Sequence, residues 1–112
     1  MKYYNRIFVF IAGLFGALGV AAYAAAAHIG GYYTAIAPIL FGNGVALLVL
    51  SFSSNKMIFK IASLLLTIGV LLFAGDVFFK QITLHHLFPF AAPSGGVILI
   101  MAWLLIAFSA FP

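Results

Sequence analysis

From residue 7 to residue 27 the chain carries no charged side chain, and stretches at 35–52, 61–79 and 93–111 repeat the pattern with a single exception, Asp76. An α-helix needs about 20 apolar residues to cross the ~30 Å hydrocarbon core of a bilayer. Four such runs in 112 residues leave room for four spans and little else. Helices are the spanning element, because an open strand in lipid leaves backbone groups without partners and the runs show no alternation of period two. The expected fold is all-α: one integral-membrane domain, 1–112, forming a four-helix bundle. Short connections at 28–34, 53–60 and 81–92 favour antiparallel neighbours, hence an up-down-up-down order.

Hydrophobic residues make up 67% of the sequence and charged ones 5%, so no soluble domain remains to hold a nucleotide or a nucleic acid. The net charge of +4 comes from five basic residues scattered beside the apolar runs, without a stripe or patch. Their reading is topogenic. With a cytoplasmic N-terminus, Lys2, Arg6, Lys56 and Lys60 fall on the inner side and only Lys80 on the outer, which places both termini in the cytoplasm. Tyr3 and Tyr4 at one boundary, and Tyr32 and Tyr33 at the other, stand where aromatic belts are expected. Cysteine is absent, which removes disulfides, thiolate metal sites and nucleophilic thiols from consideration.

The first run imitates a signal peptide: a basic start, an apolar stretch and the tripeptide Ala22-Tyr23-Ala24. It is longer than a usual signal core and its removal would leave a three-helix remnant, so it is read as a retained span. The second run, broken by Pro38, Gly42 and Gly44, reads as a shorter, kinked helix. A shift of fifty residues lays Ile11-Ala12-Gly13-Leu14 on Ile61-Ala62-Ser63-Leu64 and Gly19-Val20 on Gly69-Val70, a weak internal repeat that shared apolar composition also explains. Small residues four apart on helix one (Ala12 and Gly16, Gly13 and Ala17, Ala17 and Ala21) allow close helix approach, so helix one is expected at the centre of the bundle.

Few residues can carry chemistry. Asn43 falls near mid-membrane, where an unpaired amide costs several kcal/mol, so it is expected to bond a neighbouring helix. Trp103 reads as core packing with its indole N–H satisfied. Asp76, the sole acidic residue, lies about a turn from the outer end of its span with Lys80 four residues on, the spacing of a local ion pair. His28, His85 and His86 belong to the same outer side. With Asp76 they could make a two-histidine, one-carboxylate metal site or a polar solute entrance. No metal is assigned, because adjacent histidines point in different directions and no ligand-spacing motif is present. Pro93-Ser94-Gly95-Gly96 opens the last helix, where free N–H groups suit an anion, although close packing against helix one or three is the preferred reading.

The succession of Gly16-Ala17-Leu18-Gly19-Val20-Ala21, Ala27-His28, Gly69 through Asp76, Leu87-Phe88-Pro89, Ala92-Pro93-Ser94-Gly95-Gly96 and Ala102-Trp103 resembles the small bacterial inner-membrane family called domain of unknown function 423. That family is similar to the animal transmembrane protein 256, and the Phe-x-Gly-Asp stretch looks closest to alphaproteobacterial members. The resemblance implies a four-helix fold and a multi-pass bacterial inner-membrane location, and no activity. It also implies a histidine in helix two of many relatives where this chain has Asn43, whose amide can hydrogen-bond but cannot titrate.

No triad, carboxylate pair or cofactor fingerprint occurs, so the expected role is noncatalytic, with no cofactor. The chain reads as an accessory or assembly partner of other membrane components, in contact with the lipid bilayer and with other membrane proteins or copies of itself. The alternative is an oligomeric transporter or channel for a small solute or ion. The repeat and the outer polar cluster suggest it, but one monomer has too few polar residues to line a pore.

Overall fold

The structure, a computed structural model, describes residues 4–53 and 56–111. Lys2 and Tyr3, assigned above to the inner boundary, lie outside the described residues. Four helices follow one another: α1 Arg6–His28, α2 Tyr33–Ser53, α3 Met57–Thr83 and α4 Ala91–Phe108. Each is long and apolar enough to cross a membrane, and no strand occurs among the described residues.

The helix ends differ from the apolar runs in instructive ways. α3 begins four residues before and ends four after the expected 61–79, so that Lys60 and Lys80 lie within it. A lysine marks where lipid ends and not where a helix ends, because its long stem carries the ammonium to water while the backbone continues. At 27 residues α3 is about 40 Å long, more than the ~30 Å core, so it tilts or projects. α2 starts at Tyr33, two residues early, and takes Pro38 into its second turn, where the missing N–H would have served the Thr34 carbonyl near the helix mouth. α4 starts at Ala91, which puts Pro93 in the first turn, and stops at Phe108, three residues short of the expected end.

α1 packs on α2, α2 on α3 and α3 on α4, each pair antiparallel. The inner pair is therefore α2 and α3, whose most apolar windows are 44% and 39% buried, against 22% for α1 and for α4. This corrects the expectation that helix one is central. α1 buries only one stripe, Ala12, Phe15, Gly19 and Ala22, and turns the rest of its apolar surface outward. In lipid, hydrophobicity does not distinguish a packed face from an exposed one; close packing of small residues does.

Two backbone-to-backbone approaches lock the hairpins. A Cβ on Gly19 would stand 2.9 Å from the backbone of Phe41, and one on Gly44 would stand 3.0 Å from the Phe15 Cβ. In the second hairpin a Cβ on Gly95 would stand 2.5 Å from the Phe73 nitrogen and 2.8 Å from the Gly69 carbonyl. Of the expected small pairs, Ala12 and Gly16 do lie against α2, whereas Gly13 and Ala17 are exposed. Gly19 and Gly69, superposed by the fifty-residue shift, make equivalent close contacts. Their partners do not correspond: Phe41 maps to Ala91, while Gly69 meets Gly95 and Leu99, at least one turn further along. The halves therefore share a helix-packing glycine but not a common register.

The N-terminal end is stitched by Asn5, whose side-chain oxygen caps α1 by accepting from the Phe8 N–H at 3.1 Å while its own N–H donates to the Ser51 carbonyl at 3.0 Å. Tyr4 stacks on Phe52 beside it, with ring centroids 5.7 Å apart.

Candidate functional site

The polar residues gather at the end of the bundle that carries the α1–α2 and α3–α4 loops. The second loop is bracketed by two left-handed residues, Leu84 and Phe90, both at φ 66°, a conformation that side chains larger than glycine adopt at a cost. Leu84 ends α3 with its N–H on the Lys80 carbonyl, and Phe90 starts α4. Between them the chain folds back on α3.

That return brings donors to Asp76, which is completely buried. Oδ1 accepts the Leu87 N–H at 2.7 Å and Oδ2 pairs with His86 Nδ1 at 2.8 Å. The N–H of Ala92, in the first turn of α4, also favours the charged carboxylate. A carboxylate only accepts, so in the ionised pair the bridging proton belongs to Nδ1. The expected Asp76–Lys80 ion pair is thus replaced by a pair with His86. An i,i+4 salt bridge on an exposed surface contributes little, whereas backbone donors presented to a buried carboxylate satisfy both partners at once. The Lys80 Nζ instead sits 5.2 Å from the centroid of the Tyr32 ring, in a cation–π contact.

The remaining outer residues take separate places. His85 is exposed and its N–H donates to Thr83 Oγ1 at 3.2 Å, while His28 is exposed in the last turn of α1. Among the described residues no three histidine or acidic side chains converge as metal ligands. Ser94 is exposed and its N–H already bonds the Phe90 carbonyl, Gly95 is packed on α3, and Gly96 lies beside Phe73. The anion at the start of α4 is Asp76 itself, supplied by α3. Gln81, which the sequence reading passed over, accepts the Tyr32 N–H at 2.7 Å and so ties the α1–α2 loop to α3. Its one signal was an amide beside Lys80 in a region otherwise apolar.

A second polar contact lies about ten residues, or ~15 Å, into α2 and α4, hence near the midplane. The Asn43 amide donates to the Ile39 carbonyl at 2.9 Å, and its oxygen accepts the Trp103 indole N–H at 2.9 Å. The expected interhelical bond forms, with α4 as the partner. Trp103 is corrected, however: it is 46% exposed and lies on the flank of the bundle, not in its core.

Two grooves accompany these contacts. One, of about 420 Å³, is floored by α2 between α1 and α3 and is lined by apolar residues such as Phe15, Leu40, Val70 and Phe78, with Tyr33 at its end. The other, of about 410 Å³, lies between α2, α3 and α4 and includes Asn43, Phe73 and Trp103.

Four spanning-length helices, buried polar groups engaged within the chain and two grooves open to lipid define a small multi-pass membrane protein. More specifically, residues 12–96 match the family described as "Protein of unknown function (DUF423)", and the chain belongs to that family. The match includes Pro93-Ser94-Gly95-Gly96 and stops short of Trp103. No curated protein and no solved structure matches the chain.

Proposed function

We propose that this protein is a noncatalytic accessory or assembly partner of other membrane components in the bacterial inner membrane. One observation carries the reading: the buried polar side chains are engaged inside the molecule. Asp76 binds the α3–α4 loop, Asn43 binds Trp103, and Ser51 and Thr67 donate to carbonyls one turn back in their own helices. No buried side-chain nitrogen or oxygen among the described residues lacks a hydrogen bond. What remains for recognition is apolar surface, and all four helices present it. Crosslinking in native membranes followed by purification should recover a reproducible partner protein; recovery of self-complexes alone would refute the proposal.

The oligomeric transporter or channel remains the competing function, and solute flux through purified protein reconstituted at known stoichiometry would establish it. Asn43–Trp103 and the Asp76 cluster stand at separate depths with apolar side chains between them, an arrangement that favours the accessory role. In the proposed orientation both termini are cytoplasmic and the Asp76 cluster faces outward. A membrane-impermeant thiol reagent applied to intact cells should label His85→Cys and spare Ser53→Cys; the reverse pattern would invert the topology. The likeness to animal transmembrane protein 256 and to alphaproteobacterial members of the family belongs to the same proposal.

A further inference from the structure

The groove between α2, α3 and α4 is marked at three depths. Its inner limit is the Asn43–Trp103 hydrogen bond near the midplane. Ile39 and Phe73 line its middle, and Gly96 leaves room beside them on α4. Seven residues, two helical turns, separate Phe73 from Lys80 on α3, so Lys80 continues the Phe73 face outward, while Tyr32 immediately precedes α2, on which Ile39 lies. Lys80 and Tyr32 meet in a cation–π contact, 5.2 Å from nitrogen to ring centroid, beyond the residues that line the groove and on the outward continuation of its Phe73 face. Two turns are about 10 Å. From the indole to the lysine the path therefore spans close to one leaflet, half of the ~30 Å core.

We propose that this groove binds one anionic phospholipid, with an acyl chain along Phe73, Gly96 and Ile100 and its phosphate on Lys80. Charge sets the occupant. Asp76 is the only acidic side chain in the sequence, and its carboxylate is already engaged by His86 and Leu87. Lys80 therefore has no side-chain carboxylate of its own chain to neutralise it, and the Tyr32 ring orients the ammonium without cancelling its charge. Phosphate is the counter-charge present at that depth in a membrane. The groove between α1 and α3 is of similar size, and neither lining includes a cation; what distinguishes the groove beside α4 is that Lys80 lies two turns beyond Phe73 on the same face of α3. The site is independent of the accessory role proposed above.

Trp103 is the sole tryptophan and lines this groove alone, which gives the site its own reporter. The full-length protein would be reconstituted in phosphatidylcholine vesicles containing equal mole fractions of dibrominated phosphatidylcholine or dibrominated phosphatidylglycerol, with Trp103 fluorescence quenching as the readout. The anionic lipid should be preferred about fivefold, the ratio that ~1 kcal/mol of attraction per lysine gives. Lys80→Gln should abolish the preference and Lys80→Arg should retain it. Lys60→Gln, at the other end of α3, should leave it unchanged. Equal quenching by the two lipids in the wild type, or a preference that survives Lys80→Gln, would overturn the proposal.

Discussion

Replacing Asp76 by alanine removes an acceptor shared by two elements, and the structure allows the cost to be divided. The Leu87 N–H bond at 2.7 Å reaches a completely buried carboxylate, and a hydrogen bond to a charged acceptor contributes ~1.5–3 kcal/mol. The His86 side chain is 52% exposed, so its share is nearer the ~0.2–1 kcal/mol of a solvent-screened pair. Asp76→Ala should then destabilise by about 2–4 kcal/mol, and His86→Ala by less than about 1 kcal/mol. Asp76→Asn retains an oxygen for Leu87 and should fall between them. Unfolding equilibria in mixed detergent micelles give the free energies, and amide exchange at Leu87 and Ala92 shows whether the loop and the start of α4 have come loose. A loss under about 0.5 kcal/mol for Asp76→Ala, the range of an ordinary surface substitution, would refute the reasoning. So would rescue by exchanging the charges of Asp76 and Lys80, since the loop presents donors to position 76, the Leu87 N–H and the His86 imidazole, which suit a carboxylate and not an ammonium.

Two further outcomes follow from the packing. Gly95→Ala should destabilise by about 1–3 kcal/mol, because its Cβ would lie against α3 backbone that cannot step aside, whereas Gly96→Ala, with Phe73 Cδ2 3.9 Å away as its nearest neighbour, should be close to neutral; equal melting temperatures for the pair in detergent would contradict the close approach. A double-mutant cycle of Asn43→Leu and Trp103→Phe should show a coupling of about 0.6–1.7 kcal/mol, typical of hydrogen bonds between membrane helices, and additive losses would mean that the indole and the amide do not meet.

The number and type of helices were legible because a span in lipid must be both apolar and long, and four runs met that demand. Their ends were less legible, since Lys60 and Lys80 mark the level of water while the α3 backbone continues past them. Asn43 announced its need for an interhelical partner, although nothing local named Trp103, sixty residues away. Asp76 was misassigned for the same reason. Helical periodicity shows only neighbours on the same helix, and Lys80 was the nearest. His86 and Leu87 reach the carboxylate through a loop whose course depends on left-handed Leu84 and Phe90, a conformation that neither residue type advertises. Packing glycines were partly visible: the fifty-residue shift had already set Gly19 over Gly69, but which face of helix one is buried cannot be read from apolar residues surrounded by lipid.

The separation between Asp76 and its donors also bears on how the protein is made. His86 and Leu87 follow Asp76 by ten and eleven residues, beyond the end of α3, and Ala92 lies in the first turn of the next helix. An α3 inserted in the bilayer without the loop folded back on it would hold its carboxylate without these partners, and a lone carboxylate in hydrocarbon is costly. An intermediate with three inserted helices is thereby disfavoured. The lower-energy state has α3 and α4 in the bilayer together as a hairpin, with the loop folded over the carboxylate, so the polar demand of one span is met by the chain that leads into the next.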